Sequence, residues 1–428
     1  MADKFDVLEA LKHANVFLTG GAGVGKSYIT NEVIRDYRNR AKQVVSLGST
    51  GVSAVNIGGF TVHSFFVFGI SSNFEALNQS DKRAKKRLSD LKKLLKATDL
   101  IIIDEISMVS SDLLDMIAYR LTNYGYLGKV LFVGDFFQLP PVQKQNKNDV
   151  FGEKLYAFES LAWERFDLMV IELTQMKRTT DAAFTHILSK VRKGMCDEEV
   201  VSYMSMLWNN EKMEKEPTYL YGRNLEVEQT NRAKINELDS EETILFANIE
   251  MFGSVHEKKL ASWKSMLPIS EQLTLKEGVP ILFTVNKWGK FVNGERGILR
   301  KIEDDHLIVE KEEEYVRVER HEFDLLDMRV KDDGTIENIN LATLSQFPLK
   351  LAYAVTIHKS QGMSIDNLVC NVDNIFAPSQ FYVAISRAIN PKNLKLDFNK
   401  GDLTQYLRRV VKVDTRVVEY YKNLTSNT

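Results

Sequence analysis

The sequence has little cysteine, no long apolar run and no marked excess of charge. Its two cysteines, Cys196 and Cys370, lie far apart and fit no zinc-ligand spacing, so we expect reduced thiols. No stretch approaches the ~18 apolar residues of a membrane span, and the N-terminus lacks the apolar core of a signal peptide. We therefore expect a soluble cytoplasmic protein that does not bind a membrane.

The charge balance excludes a polycationic protein. The formal net charge is −2, with 27% charged and 44% hydrophobic residues among 428. This balance is typical of folded globular proteins, and the length predicts two or three domains. Any nucleic-acid site must therefore be a local groove rather than a consequence of bulk charge.

A glycine-rich segment follows the short apolar run of residues 16–18. It matches the phosphate-loop pattern G-x-x-x-x-G-K-[ST], in which backbone N–H groups surround phosphate oxygens at the start of a helix. Lys26 is expected to reach the β- and γ-phosphates, and Ser27 to bind Mg²⁺. The predicted nucleotide-binding residues of this loop are Gly20, Gly21, Ala22, Gly23, Val24, Gly25, Lys26 and Ser27.

Polar residues follow two further predicted strands. Short apolar runs at 15–19, 43–47, 99–103, 129–133 and 168–173 alternate with helical segments, which predicts a parallel sheet. Asp104 and Glu105 end the third run, where Asp104 would orient Mg²⁺ and Glu105 would polarise the attacking water. Gln138 follows the fourth run, where it would contact the γ-phosphate. The alternative for the acid pair is two solvated carboxylates at a strand end.

Small and hydroxylated residues lie between the phosphate loop and the acid pair. Ser49–Ala54 and Gly58–Ser64 contain Thr50, Gly51 and His63. Such residues allow a sugar–phosphate backbone to approach closely, so they are predicted to contact DNA. A lone Thr-Gly turn would be an ordinary loop.

Five motifs in this order resemble those of the Pif (petite integration frequency) family of superfamily-one DNA helicases. They are GGAGVGKS, STGVSAVNIGG, TVHSFF, IIIDEISMVSSDLLD and VGDFFQLPPV. The resemblance to RecD-like helicases is more distant. It implies an α/β fold of two RecA-like parallel-sheet domains, with a small wedge insertion and an SH3-like β-barrel insertion.

The resemblance also implies domain bounds. Residues 1–175 would form the first RecA-like domain, with the wedge at about 65–78. Residues 176–275 and 346–428 would form the second, interrupted by the barrel at 276–345. Phe65 in the wedge would stack on DNA, although a core role for the phenylalanines there is an equal alternative.

The second half supplies further implied site residues. Arg178 and Arg387 would reach the γ-phosphate, Arg387 as the arginine finger. In the motif TIHKSQG, His358 and Lys359 would face DNA, and Gln361 and Gly362 would lie near the γ-phosphate.

The sequence departs from the family pattern at two points. Lys177 stands where the family has phenylalanine, and no glutamine precedes the phosphate loop, the first being Gln43. The family's adenine-reading glutamine is therefore missing, which predicts some tolerance of other nucleoside triphosphates.

The function implied is an ATP- and Mg²⁺-dependent DNA helicase that moves 5′→3′ on single-stranded DNA and opens duplex junctions. We expect it to be monomeric on DNA and associated with a prokaryotic nucleoid or a viral genome. Two alternatives stay open at this point. One is a DNA-stimulated translocase without strong unwinding, or an RNA helicase; the other is a nucleotide-binding switch or scaffold, whose turnover would be indifferent to DNA.

Overall fold

The computed structural model describes residues 3–69, 71, 73–141, 154–211, 216–287, 289–311, 314–331, 333 and 335–426. The chain forms two compact units. Unit 1 comprises Met1–Gln175, Leu326–Asn340 and Arg416–Thr428, and unit 2 comprises Met176–Leu325 and Leu341–Thr415. The predicted bounds also divide the chain after residue 175. They differ in assigning 326–340 to the barrel and 416–428 to the second domain.

Unit 1 is built on a six-stranded sheet whose paired strands run parallel. The strands are β1 (Asn15–Gly20), β2 (Val44–Gly48), β3 (Phe60–Thr61), β4 (Leu100–Asp104), β5 (Lys129–Gly134) and β6 (Leu168–Leu173). Their order is β3-β2-β4-β5-β1-β6. A parallel sheet in which helices cover both faces needs apolar residues on both sides of its central strands, which explains the apolar runs in the sequence.

The helices of unit 1 connect these strands. They are α1 (Lys4–His13), α2 (Lys26–Asn39), α3 (Gly51–Asn56), α4 (Val62–Phe65), α5 (Phe74–Asp81), α6 (Lys85–Ala97), α7 (Ser111–Asn123) and α8 (Leu161–Arg165). Alternate strand residues, such as Val16 and Leu18 of β1, pack against α1 and α2 in one buried cluster. Phe17 points to the opposite face, where it contacts Phe136 and Trp163.

The predicted wedge lies in the insertion between β3 and β4, which is helical. Phe66 and Phe68 are fully buried there and stack at 5.5 Å. The guanidinium of Arg120 on α7 donates to the Phe66 carbonyl and forms a two-nitrogen ion pair with Asp81. These contacts fix the base of the insertion to unit 1. Residues 70 and 72 of the predicted wedge lie outside the described residues.

Unit 2 contains a second parallel sheet and antiparallel sheets. Its helices are α9 (Ala182–Arg192), α10 (Glu198–Trp208), α11 (Asn224–Asn236), α12 (Glu257–Met266), α13 (Gln380–Ile385) and α14 (Leu403–Val410). The strands that follow β6 in the chain are β7 (Thr218–Tyr221), β8 (Thr243–Phe246), β9 (Asn248–Met251), β10 (Gln272–Leu275), β11 (Pro280–Phe283), β12 (Arg296–Ile302), β13 (His306–Lys311), β14 (Glu314–Glu319), β15 (His321–Val330), β16 (Ile336–Gln346), β17 (Leu349–Leu351), β18 (Ala354–Thr356), β19 (Leu368–Asn371) and β20 (Leu394–Asp397).

The parallel sheet of unit 2 has the order β18-β7-β19-β20. A five-stranded antiparallel sheet, β14-β13-β12-β11-β17, forms the greater part of the predicted barrel region around its own apolar cluster. The long strands β15 and β16 lie in a separate sheet with β9. The two parallel sheets and the β-rich insertion confirm the predicted α/β fold class.

The last helix, α15 (Thr415–Ser426), follows a helix of unit 2, yet the segment Arg416–Thr428 belongs to unit 1. Among the described residues, no helix is both long and apolar enough to cross a membrane.

Candidate nucleotide site and DNA-binding pocket

The phosphate loop has the backbone geometry that its glycines permit. Gly20, Gly23 and Gly25 have φ values of 141°, 79° and 96°, which side chains other than glycine rarely adopt. A Cβ on Gly20 would lie 2.3 Å from the carbonyl oxygen of Leu173. Because α2 begins at Lys26, its free N–H groups and positive helix end face the loop.

Lys26 lies inside this loop. Its ammonium donates to the carbonyls of Gly20 and Gly21 at 2.7 and 3.0 Å. Its positive charge also acts on Asp104, opposing the rise in the pKa of that carboxyl. The structure therefore brings together Lys26 of the phosphate loop and Asp104 at the end of β4.

The acid pair is partly buried, and its second residue has a strained backbone. Burial, and then the charge of Glu105, raise the pKa of Asp104 to about 7. Glu105 has φ 53°, and its N–H donates to Asp104 Oδ1 at 2.9 Å. Left-handed backbone in a residue other than glycine costs about 1–3 kcal/mol and is often found at functional sites. The raised pKa of Asp104 and the left-handed backbone of Glu105 indicate that the two carboxylates belong to a functional site.

Gln138 is held in the loop after β5. Its Nε2 donates to Asp135 Oδ2 at 3.4 Å, and its backbone N–H donates to the Asp135 carbonyl at 2.9 Å. Both side chains are buried. β1 and β5 are adjacent parallel strands, so the loops that follow them leave the same edge of the sheet.

Arg178 and Arg387 lie together in unit 2. Arg178 donates to Ser364 Oγ at 2.9 Å and to the Ser386 carbonyl at 2.6 Å, whereas Arg387 donates to Ser386 Oγ at 3.0 Å. Burial, and then the positive charge of Arg387, lower the pKa of Arg178 to about 9. A buried and a partly buried guanidinium held together create a local excess of positive charge, which an anionic group would neutralise.

The TIHKSQG motif contacts one of these two arginines through its backbone. Arg387 Nη1 donates to the Ser360 carbonyl at 3.4 Å. The Gln361 Nε2 is buried and has no hydrogen-bond partner among the described residues. Gly362 has φ 79°. A buried amide donor without a hydrogen bond raises the free energy of the folded protein. The Gln361 Nε2 would therefore gain from an acceptor such as a phosphate oxygen.

His358 and Lys359 line a pocket of about 560 Å³ in unit 2. The His358 ring stacks on Phe376 at 6.1 Å, and Phe376 remains 63% exposed. Burial lowers the pKa of His358. Arg223 and Asn224, at the N-terminus of α11, also line this pocket. The lining residues are Gly222, Arg223, Asn224, Thr356, His358, Lys359 and Phe376.

The DNA-binding residues predicted in the first half occupy two local settings. Thr50 caps α3 by accepting from the Ser53 N–H, and Gly51 is the first residue of that helix. His63 is half-buried on α4, where burial lowers its pKa. Phe65 is 6% exposed and packs edge-on to Phe66 at 5.0 Å. The Phe65 ring is therefore part of the core in this structure, which is the alternative that the sequence left equal to stacking on DNA.

Several residues at these sites were missed by the sequence reasoning. Phe376 and Arg223 belong to no motif quoted above, and Tyr421 contacts the phosphate-loop strand from a position 402 residues away in the chain. Lys350 on β17 lies 4.0 Å from Met363 Sδ, near the TIHKSQG loop. The sequence could have pointed to Lys350, because it is a basic residue in the strand just before the TIHKSQG motif.

A phosphate loop, an acid pair and a glutamine at one edge of a parallel sheet define a P-loop NTPase. A family model described as PIF1-like helicase matches residues 4–202, and a model described as Helicase matches 305–423. The ATP-dependent DNA helicase Pif1 of Campylobacter jejuni is 42% identical over 98% of this chain and 97% of its own length. That of Bdellovibrio bacteriovorus is 35% identical over 95% and 88%. The chain therefore belongs to the PIF1-like helicase family.

Solved structures agree with this assignment. Pif1 from a Bacteroides species, in complex with ADP-AlF4, has a TM-score of 0.84 and 26% identity, covering 100% of this chain and 97% of that one. Bacteroides Pif1 bound to ssDNA has a TM-score of 0.66 and 27% identity, covering 99% and 96%. These neighbours share the RecA-like architecture that the sequence predicted.

Proposed function

We propose that this PIF1-like helicase, an ATP-dependent DNA helicase, moves 5′→3′ along single-stranded DNA and opens duplex junctions. The observation that carries the proposal is the phosphate loop and acid pair of unit 1, in a chain 42% identical over its length to a named DNA helicase. The direction rests on the family resemblance. Action at a prokaryotic nucleoid remains a prediction that the bacterial relatives support.

The residues of unit 1 divide the work on ATP. The N–H groups of residues 20–27 bind the β- and γ-phosphates, and Lys26 places its ammonium on their oxygens. Glu105 polarises the attacking water, and Gln138 contacts the γ-phosphate. The left-handed backbone of Glu105 supports this role, since such strain in a residue other than glycine is often found at functional sites.

Mg²⁺ fits the donor set of the site. Ser27 supplies a hydroxyl and Asp104 a carboxylate, and Mg²⁺ characteristically combines one or two protein oxygens with phosphates and water. We therefore assign Ser27 and Asp104 as the Mg²⁺-binding residues. The ion would neutralise charge on the phosphates.

Arg178 and Arg387 act on the γ-phosphate, with Arg387 as the finger. Their mutual repulsion supports this assignment, because an anion placed near both removes an unfavourable interaction. Gln361 and Gly362 lie in the same loop as Ser360, which accepts from Arg387. The buried, unpartnered Gln361 amide is suited to a phosphate oxygen.

The 560 Å³ pocket of unit 2 is the proposed DNA-binding site there. Arg223, Lys359 and the N-terminus of α11 favour a phosphodiester group. The exposed ring of Phe376, backed by His358, gives a base a surface on which to stack. Thr50, Gly51 and His63 are proposed to contact the DNA backbone from unit 1. We propose a monomer as the form that acts on DNA.

The assignment of Arg387 is tested by its replacement with alanine. Because a finger contributes about 10³–10⁵ to the rate, we expect ATP turnover to fall by at least about 10³-fold, while a fluorescent ATP analogue still binds. Arg387→Lys tests whether charge alone suffices, and Arg40→Ala, on an exposed ion pair, is the control. Turnover within threefold of the wild type in Arg387→Ala would assign the finger to another residue.

A further inference from the structure

The last helix of the chain contacts the edge of the unit 1 sheet where the nucleotide loops emerge. Tyr421 on α15 has its hydroxyl 2.8 Å from Thr19 Oγ1, and the same oxygen accepts from the Phe136 N–H at 3.3 Å. Its ring stacks on Phe137 with a centroid distance of 4.6 Å. One side chain thus contacts both the end of β1 and the loop that follows β5.

Both partners are next to the nucleotide-binding residues in the sequence. Thr19 immediately precedes Gly20, the first residue of the phosphate loop. Phe136 and Phe137 immediately precede Gln138. Movement of either partner would therefore be transmitted directly to the groups that contact the phosphates.

The strand pairing explains why a cross-link is needed at this point. β1 and β5 pair in parallel register up to Thr19 and Gly134, and beyond them the chain enters the two loops. Ladder hydrogen bonds fix the separation of the strands only as far as that pair. The Tyr421 hydroxyl joins Thr19, a member of that last pair, to Phe136, which lies two residues beyond Gly134.

The neighbouring tyrosine has a different set of contacts. Tyr420 accepts from Trp163 Nε1 at 3.2 Å and stacks on Phe158 at 4.4 Å. Arg416 pairs with Glu159 at 3.3 Å, at the start of the same helix. The Tyr420 ring also lies edge-on to Phe136 at 5.5 Å, but the Tyr420 hydroxyl bonds to Trp163 and to neither the phosphate loop nor the Gln138 loop.

We propose that Tyr421 is a positioning residue for ATP hydrolysis, which holds the Gln138 loop at a fixed distance from the phosphate loop. The inference rests on the proposed function, in which residues 20–27 bind ATP and Gln138 contacts its γ-phosphate. Binding of ATP depends chiefly on the phosphate loop itself. Loss of the Tyr421 hydroxyl therefore affects turnover of bound ATP more than ATP affinity.

Paired tyrosine variants test this role. Tyr421→Phe removes one hydroxyl and keeps the ring, and Tyr420→Phe removes an equivalent hydroxyl from the same helix. We expect Tyr421→Phe to lower the kcat of DNA-stimulated ATP hydrolysis about tenfold, because small misplacements of groups around a reacting centre have effects of this size. The KM for ATP should stay within twofold. Tyr420→Phe should leave both constants unchanged, with a similar Tm.

The partner residue supplies a second test. Thr19→Val should reproduce the kcat loss of Tyr421→Phe, Thr19→Ser should restore the wild-type rate, and the double variant should be no slower than either single variant because both remove one shared bond. The inference is overturned if wild-type turnover responds to DNA but Tyr421→Phe matches it, or if Tyr420→Phe is equally slow. Wild-type turnover that ignores DNA would instead overturn the proposed function, and the inference with it.

Discussion

Lys350 is a partly buried cation beside a proposed DNA-binding loop. It lies on β17, opposite Leu282 of β11. Burial, and then the positive charge of Lys359, lower the pKa of Lys350 to about 8. Among the described residues no carboxylate forms an ion pair with it. An added phosphate near the two lysines would stabilise the charged form and raise this pKa.

The affinity for single-stranded DNA should therefore fall as the pH rises through about 8. If bound DNA keeps Lys350 protonated, the affinity at pH 9 should be about tenfold lower than at pH 7. Fluorescence anisotropy with a labelled oligonucleotide measures this change. Lys350→Arg, which stays charged, should flatten the pH profile, and a wild-type profile already flat from pH 7 to 9 would contradict the prediction.

As the pH rises, the contribution of Lys350 to the stability of the protein increases, whereas the DNA affinity is expected to fall. The folded pKa of about 8 lies below the ordinary value of 10.5, so the unfolded chain binds the proton more tightly. The free energy of unfolding contributed by Lys350 therefore increases as the pH rises from 8 to 10.5. A loss of DNA affinity above pH 8 cannot then be attributed to unfolding driven by Lys350.

At the scale of elements, α13 connects the two sites proposed in unit 2. At its N-terminus the buried Gln380 accepts from the N–H groups of Phe376 and Ala377 at 2.9 and 3.2 Å. Just beyond its C-terminus is Arg387. The helix thus links the segment that presents the Phe376 ring to the proposed arginine finger.

Gln380→Met should weaken DNA binding without removing any DNA-contacting side chain. Methionine has a similar volume but cannot accept the two N–H groups, so the Phe376 ring would lose its fixed position. A stacked base contributes about 1–3 kcal/mol, so we expect an affinity loss of about fivefold or more, approaching that of Phe376→Ala. Gln405→Met, on the exposed surface of α14, is the control, and equal affinities for the two methionine variants would contradict the prediction.

The sequence predicts regular elements better than contacts. The bounds of β6 were predicted to the residue, and those of β2 and β4 within one residue, because short apolar runs in a covered parallel sheet are local signals. The sequence left Phe65 undecided between stacking on DNA and a core role, because an aromatic residue next to a motif gives the same local pattern in both cases. The Tyr421 contact joins residues 402 apart, and no local pattern predicts such a pairing.

At the scale of the whole molecule, the net charge of −2 means that DNA must be bound by local cationic groups. The logarithm of the single-strand affinity should fall with the logarithm of salt, with a slope of about −0.7 for each phosphate neutralised. Lys359→Ala should reduce the slope by about 0.7, whereas Lys264→Ala, in an exposed ion pair with Glu271, should leave it unchanged. A slope near zero for the wild type would exclude binding through the backbone phosphates.

The central claim is that ATP hydrolysis at the phosphate loop drives strand separation. Its most direct test is the unwinding of duplexes that carry either a 5′ or a 3′ single-stranded tail, measured with ATP and Mg²⁺. The account predicts strand separation on the 5′-tailed substrate, little on the 3′-tailed one, and none with Lys26→Ala at an unchanged Tm. Separation preferentially from the 3′ tail would contradict the proposed direction, and DNA-stimulated ATP turnover without separation of either duplex would contradict the claim itself.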